Sequence, residues 1–258
     1  MNKSILLLIV ASVFITFTGC STLPQNTITQ ISTIDALLAG VYDGHLSCSD
    51  LVKNGNFGLG TFNGLDGEMI VLDGKVYQVK SDGRVYTPPP ETTTPFAAVS
   101  NFEAEKTFEV KKGLDFEALK KRIDAEAPEM NIFCGVKIKG RFTRMKTRSV
   151  PGQKKPYPPL VEVTKNQPVF NMANVSGTIV GFRCPAYVKG INVTGYHLHF
   201  LSDDLTQGGH ILSFTADNGK ISIDTYNKFF LILPEKNEAF DKTDLKIDRE
   251  DELKKVEH

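Results

Sequence analysis

Hydrophobic and polar positions alternate with a period of two through most of this chain, the pattern of half-buried β-strands. IFCGVKIKGRFTRMKTRSV (132–150) alternates as one long strand and is broken by PGQKKPYPPL (151–160). After residue 169 strand follows strand: VFNMANVSGTIVGFRC (169–184), INVTGYHLHFL (191–201) and GHILSFTADNGKISIDTYNKFFLILP (209–234). Earlier, FGLGTFNG and EMIVLDGKVYQVKSDGRVY are strand-like, with Asp-Gly pairs at 73–74 and 82–83 that predict hairpin turns. Asn218-Gly219 predicts a third, and Gly208-Gly209 a tight turn before His210. TPPPETTTP (87–95) is a surface loop.

The period changes to that of a helix in only a few places. DFEALKKRIDAEA (115–127) is the clearest: Asp115 caps it, Phe116, Leu119 and Ile123 share a face, and Pro128 follows its end. A short helix starts at Thr33 and stops at Gly40, and DREDELKKVE (248–257) forms a last one. The pattern predicts an α+β fold of two β-rich mixed-sheet subdomains with a few helices, divided at about 32–165 and 166–258. Residues 21–31, STLPQNTITQI, are polar and read as a tether.

The N-terminus stands apart. Its apolar run, Ile5 to Phe17, is short for a bilayer span and reads as the core of a signal peptide over residues 1–20. Phe17-Thr18-Gly19-Cys20 resembles a bacterial lipoprotein processing site, with Cys20 as the lipid-bearing residue and so a membrane tether. Phe17 stands where leucine is usual, which keeps plain secretion as the alternative. Either route makes the protein an exported one.

Composition adds exclusions. Across 258 residues the formal net charge is zero, so no basic excess points to nucleic acid. Cys48, Cys134 and Cys184 fit no zinc knuckle and no redox pair, and read as structural. Gly58, Gly60 and Gly64 give GxGxxxG with no helix pattern after it, which is not a dinucleotide loop.

Histidine changes the picture most. The chain has 5, and His197, His199 and His210 lie in GYHLHFLSDDLTQGGHIL. Residues i and i+2 of a strand project from one face, about 6.6 Å apart. His197 and His199 therefore project together, with Leu198 and Phe200 on the core face. A return strand beyond the glycines brings His210 beside them. Three imidazoles with an open position form the pattern of a catalytic metal site, in which zinc is the expected ion, one per chain. Spacing alone does not choose between zinc, iron and manganese.

GYHLHFLSDDLTQGGH, with GFRCPAY, RSVPGQKKPYPPL and GLGTFNGLDGEMIVLDG in the same order, resembles the α-acetolactate decarboxylase family from about Tyr42 to the C-terminus. The resemblance implies a zinc enzyme of the acetoin pathway, acting as a homodimer, that converts (S)-2-acetolactate to (R)-acetoin and carbon dioxide. It implies His197, His199 and His210 as metal ligands, Glu68 and Arg148 as active-site groups, Thr61 in the substrate pocket, and Glu257 reaching back from the C-terminal helix. From the residues alone, Glu68 is a hairpin carboxylate, and Arg148 is one cation of a strand that also carries Arg141, Arg144 and Lys146. Two other readings stay open. One is a cupin-type metal dioxygenase, in which Asp203 or Asp204 would stand where cupins place a glutamate; the other is a non-catalytic surface lipoprotein that binds metal or ligand.

Overall fold

The computed structural model describes residues 25–257, so the expected leader with Cys20 and the first part of the expected tether lie outside the described residues. The chain begins β1 (Thr27–Ile31), α1 (Ile34–Leu38), β2 (Leu46–Ser47), α2 (Cys48–Leu51), β3 (Phe57–Thr61), β4 (Glu68–Leu72), β5 (Lys75–Val79) and β6 (Val85–Tyr86). It continues through β7 (Thr93–Thr94), β8 (Ala97–Ser100), β9 (Lys106–Glu109), β10 (Leu114–Asp115), α3 (Phe116–Glu126) and β11 (Phe133–Arg148). It ends with α4 (Leu160–Thr164), β12 (Val169–Cys184), β13 (Gly195–Ser202), β14 (Gly208–Tyr226), β15 (Lys228–Ile232), α5 (Glu238–Lys242) and α6 (Glu250–Glu257).

The fold is α+β and mostly sheet. A seven-stranded mixed sheet has the order β15-β1-β8-β3-β4-β5-β6, with β1 and β15 parallel. The second sheet, β10-β14-β11-β12-β13 with β9 beside β14, pairs antiparallel throughout. The sheets pack face to face through one apolar layer, in which Phe57, Ile70 and Val79 meet Val180, Phe182 and Leu201. α3 covers the far face of the antiparallel sheet with Leu119 and Ile123. Asp115 caps α3 as its sequence predicts, accepting from the Ala118 N–H. α1, α4 and α6 gather into an apolar cap at one end of the sandwich.

Three expectations are corrected. The supposed tether ends in β1, whose five residues are all buried between β8 and β15. The Gln30 side chain is satisfied inside: its Nε2 donates to the Ser32 and Ile191 carbonyls and its Oε1 accepts from Asn192, so a polar composition there does not mean solvent. The two sheets also do not divide near residue 165, because β11 belongs with β12–β14 and β15 returns to the first sheet. Finally, Asn218-Gly219 is no hairpin turn. It lies inside β14 at a register shift opposite Arg141 and Gly140. Gly219 has φ +139, and a Cβ there would come 2.3 Å from the Lys139 carbonyl oxygen. The glycine serves a bulge and a close strand approach instead. Asp73-Gly74, by contrast, does join β4 to β5, with φ +50 and +75.

Candidate active site

Strand register assembles most of the site. β14 pairs with β11 on one side and, at its start, with β13 on the other, so β11–β14 close into a ring there. At that corner His210 faces His199 across one ladder and Arg148 across the other. The turn between β13 and β14 falls at 203–207, earlier than the glycine pair suggests; Gly208 and Gly209 already pair with Leu201 and Phe200. Gly209 has φ +125, and a Cβ on it would stand 2.5 Å from the Arg148 carbonyl oxygen, so only glycine lets β11 and β14 meet this closely. His197 sits two residues before His199 on the same face, while Leu198 and Phe200 enter the core on the opposite one.

The three imidazoles are buried, with ring centroids 5.0 Å, 5.1 Å and 5.4 Å apart. One ligand atom from each lies within 4.8 Å of the others. Burial holds all three in the neutral form, which presents a lone pair: His197 is pulled down to about 3, and His199 and His210 well below the ordinary histidine range, by desolvation first. The His199 tautomer is fixed from the other sheet. Its Nδ1 lies 2.9 Å from the Met69 carbonyl oxygen, which can only accept, so Nδ1 carries the hydrogen and Nε2 the lone pair. His199 Nε2, the nitrogen with the lone pair, is buried without a hydrogen-bond partner, which is costly unless something else satisfies it. The donor set and this orphaned nitrogen fit a divalent cation.

Charged groups from three other places surround the triad. Glu68, the first residue of β4, puts Oε2 3.6 Å from His199 Nε2. Glu257, in the last turn of α6, puts Oε2 3.7 Å from His197 Nε2 and 3.8 Å from His210 Nε2. Arg148 lies between the two carboxylates, with Nη1 3.4 Å from Glu68 and Nη2 3.9 Å from Glu257. Arg148 Nη2 also donates to the Val256 carbonyl at 2.8 Å. Arg144 and Lys146, earlier on the same strand, are exposed. Burial pushes Glu68 up to about 7, opposed by Arg148 and reinforced by Glu257. Thr61 faces Glu68 across the β3–β4 ladder, and its hydroxyl donates to the Gly67 carbonyl at 2.7 Å.

Thr61, Glu68, Arg148, His197, His210 and Glu257 form the polar side of a cavity of about 40 Å³. Its other side is apolar, built by Ile34, Leu37, Leu65, Phe96, Val150, Leu160 and Val256. The structure thus brings together Thr61, Glu68, Arg148, His197, His199, His210 and Glu257. The Met69 and Val256 carbonyls and the apolar wall were not foreseen. Backbone carbonyls carry no sequence signal, and the wall residues look like any other core. Asp203 and Asp204 are exposed on the 203–207 turn, away from the cavity, which removes the cupin reading. Cys48, Cys134 and Cys184 are free, buried and pushed up to about 11, 12 and 12 by burial, as inert thiols are.

The sequence model of the α-acetolactate decarboxylase family matches residues 28–247. The α-acetolactate decarboxylase of Methanosarcina mazei is 47% identical over 228 residues, covering 88% of this chain and 79% of its own. That of Bacillus subtilis is 39% identical over 234 residues, covering 91% of each. The crystal structure of α-acetolactate decarboxylase from Bacillus subtilis superimposes with a TM-score of 0.87 at 38% identity, covering 90% of this chain and 99% of the other. A Staphylococcus aureus protein described as similar to α-acetolactate decarboxylase superimposes with a TM-score of 0.84 at 33% identity, covering 89% of this chain and 98% of the other.

Proposed function

This chain belongs to the α-acetolactate decarboxylase family and is a carboxy-lyase that converts 2-acetolactate to acetoin and carbon dioxide, and we propose that it does so with one zinc ion on His197, His199 and His210. The observation that carries this assignment is the convergence of three neutral, buried imidazoles with Glu68, Arg148 and Glu257 beside one small cavity. Zinc suits a set of three neutral imidazoles. When bound, the cation supplies Lewis-acid stabilisation of the oxygen on which negative charge gathers.

The residues divide the remaining work. In the substrate the bond between the carbinol carbon and the carboxylate carbon breaks. Carbon dioxide leaves, and the electron pair enters the neighbouring carbonyl to give an enediolate. The Arg148 guanidinium binds the substrate carboxylate and then the enediolate oxygen; its charge is permanent and its position is held by the Val256 carbonyl. Glu68 delivers the proton to the carbinol carbon from one side, which fixes a single hand of acetoin. Its carboxyl group, pushed up to about 7, is protonated in a useful fraction near neutral pH. Thr61 spends its hydroxyl hydrogen on the Gly67 carbonyl, which leaves its oxygen as an acceptor on the cavity side. Glu257 orients Arg148 and holds negative charge beside His197 and His210. With Glu68 carrying the proton it delivers, Glu257, Arg148, one divalent cation and one anionic substrate sum to a single positive charge, and each buried charge has an opposite one beside it, as burial requires.

Purified protein supplied with 2-acetolactate should release acetoin and carbon dioxide in equal amounts, and a chelator should stop it. Turnover that survives complete removal of metal would overturn the metal assignment. We also propose export and a lipid tether through Cys20, supported by the apolar run and small residues before it. Membrane-fraction protein that becomes soluble on Cys20→Ala supports the tether; a mature N-terminus elsewhere refutes it. A homodimer is proposed as well. It is supported by β15, an edge strand that exposes Phe230, and is tested by the mass in solution from light scattering.

A further inference from the structure

We propose that Leu65 sets the size of the alkyl group that the site accepts on the carbinol carbon, and is a specificity-determining residue of this enzyme. The inference rests on the acetolactate reading above. Leu65 is buried, lines the cavity and lies three residues before Glu68. Its backbone is left-handed, with φ +59, between Gly64 at +68 and Gly67 at +91. Glycine takes this conformation freely, whereas leucine does so at a cost and persists only where its surroundings hold it.

The surroundings do hold it. Gly64 N–H donates to the Tyr42 carbonyl at 2.8 Å, and Leu65 N–H to the Phe62 carbonyl at 2.8 Å. Gly67 N–H donates to the Leu65 carbonyl at 2.9 Å, and Gln153 N–H to the Gly64 carbonyl at 2.6 Å. A glycine at 65 would keep this turn without strain. What glycine lacks is the hydrocarbon that leucine places in the cavity wall.

That hydrocarbon matters because the cavity has two unlike sides. Glu68, Arg148 and the cation that the histidines would hold take the oxygens of an acetohydroxy acid, which leaves its alkyl groups to the apolar side. Leu37 and Leu160 on that side ride on separate helices, α1 and α4. Leu65 instead shares a rigid turn with Glu68, so its side chain stands at a fixed offset from the proton donor. The cavity is small, about 40 Å³, so the alkyl groups of a bound acetohydroxy acid lie against its apolar wall. A single methylene in a hydrophobic pocket changes discrimination by about 10–200-fold.

The test compares kcat/KM for 2-acetolactate with that for its homologue carrying ethyl in place of methyl on the carbinol carbon. Four metal-loaded proteins are measured: the parent, Leu65→Gly, Leu65→Ala and Leu38→Ala. Leu38 belongs to the same apolar cluster and is fully buried, but does not line the cavity. Both Leu65 variants should move the ratio toward the ethyl homologue by about tenfold or more. Leu38→Ala should lower the melting temperature and leave the ratio where it was. An unchanged ratio in the Leu65 variants, or an equal shift in Leu38→Ala, would overturn the proposal by showing that Leu65 is ordinary core. Should Leu65→Gly fail to fold, Leu65→Ala decides alone. A parent that turns over neither acid would overturn the acetolactate reading itself, and this inference with it.

Discussion

The two parts of the active site are built in opposite ways. The histidines come from one stretch of chain: β13, a five-residue turn and the start of β14, with His199 and His210 directly opposed. The charged groups come from β4, the end of β11 and the last turn of α6, which are far apart in sequence and meet only in the folded molecule. The hairpin can place its ligands through local pairing. The charges need the packing of one sheet on the other and the docking of a helix. Ligand placement should therefore tolerate changes around the charges, while catalysis should tolerate almost none.

The most severe break in this contrast is His199→Ala. Elemental analysis should find metal largely lost and turnover at background, because two imidazoles do not hold the ion against competing water. Next comes Glu68→Gln, which should retain metal by the same assay and lose about 10²–10⁴-fold in kcat, the usual share of a positioned proton donor. Retained activity within a factor of a few would make Glu68 a bystander. Arg148→Lys keeps the charge but loses the planar fork. It should cost at least about tenfold in kcat/KM, equivalent to about 1.4 kcal/mol of transition-state stabilisation, with metal content unchanged. The smallest effect should be Arg144→Lys on the same strand. Its side chain is exposed and donates to the Thr215 hydroxyl at 3.2 Å, so activity should be unchanged and stability altered by no more than about 0.5 kcal/mol. Equal behaviour of the two arginine variants would show that the corner between β11 and β14 confers nothing special on Arg148.

The same division governs what could be read before folding. α3 was legible because Asp115 and Pro128 bracket it, and the β4–β5 hairpin because Asp73-Gly74 is a strong local turn signal. The histidine hairpin was legible because period two puts His197 and His199 on one face, although its turn lies at 203–207. β1 was not, since its threonines and glutamine are polar and their burial depends on partners such as Asn192, far along the chain. Asn218-Gly219 looks like a turn locally and becomes a bulge because β11 continues past it. Arg148 is indistinguishable in sequence from Arg144 and Lys146. Only the other sheet and α6 cover it, and those are tertiary facts. Its role and that of Glu68 were carried by family resemblance rather than by pattern.

The parallel pairing of β1 with β15 has a consequence in time. Thr27 lies beside Lys228, so this edge of the seven-stranded sheet waits for nearly the whole described chain, and closing so long a loop is entropically slow. β11 to β14 follow one another closely and pair antiparallel, so their ring can form first. Pulse-labelling hydrogen exchange during refolding should protect β13 and β14 before β1. The histidines would then be able to capture their ion while the sheet that carries Glu68 is still incomplete, so metal uptake would be an event of folding rather than an addition to a finished protein.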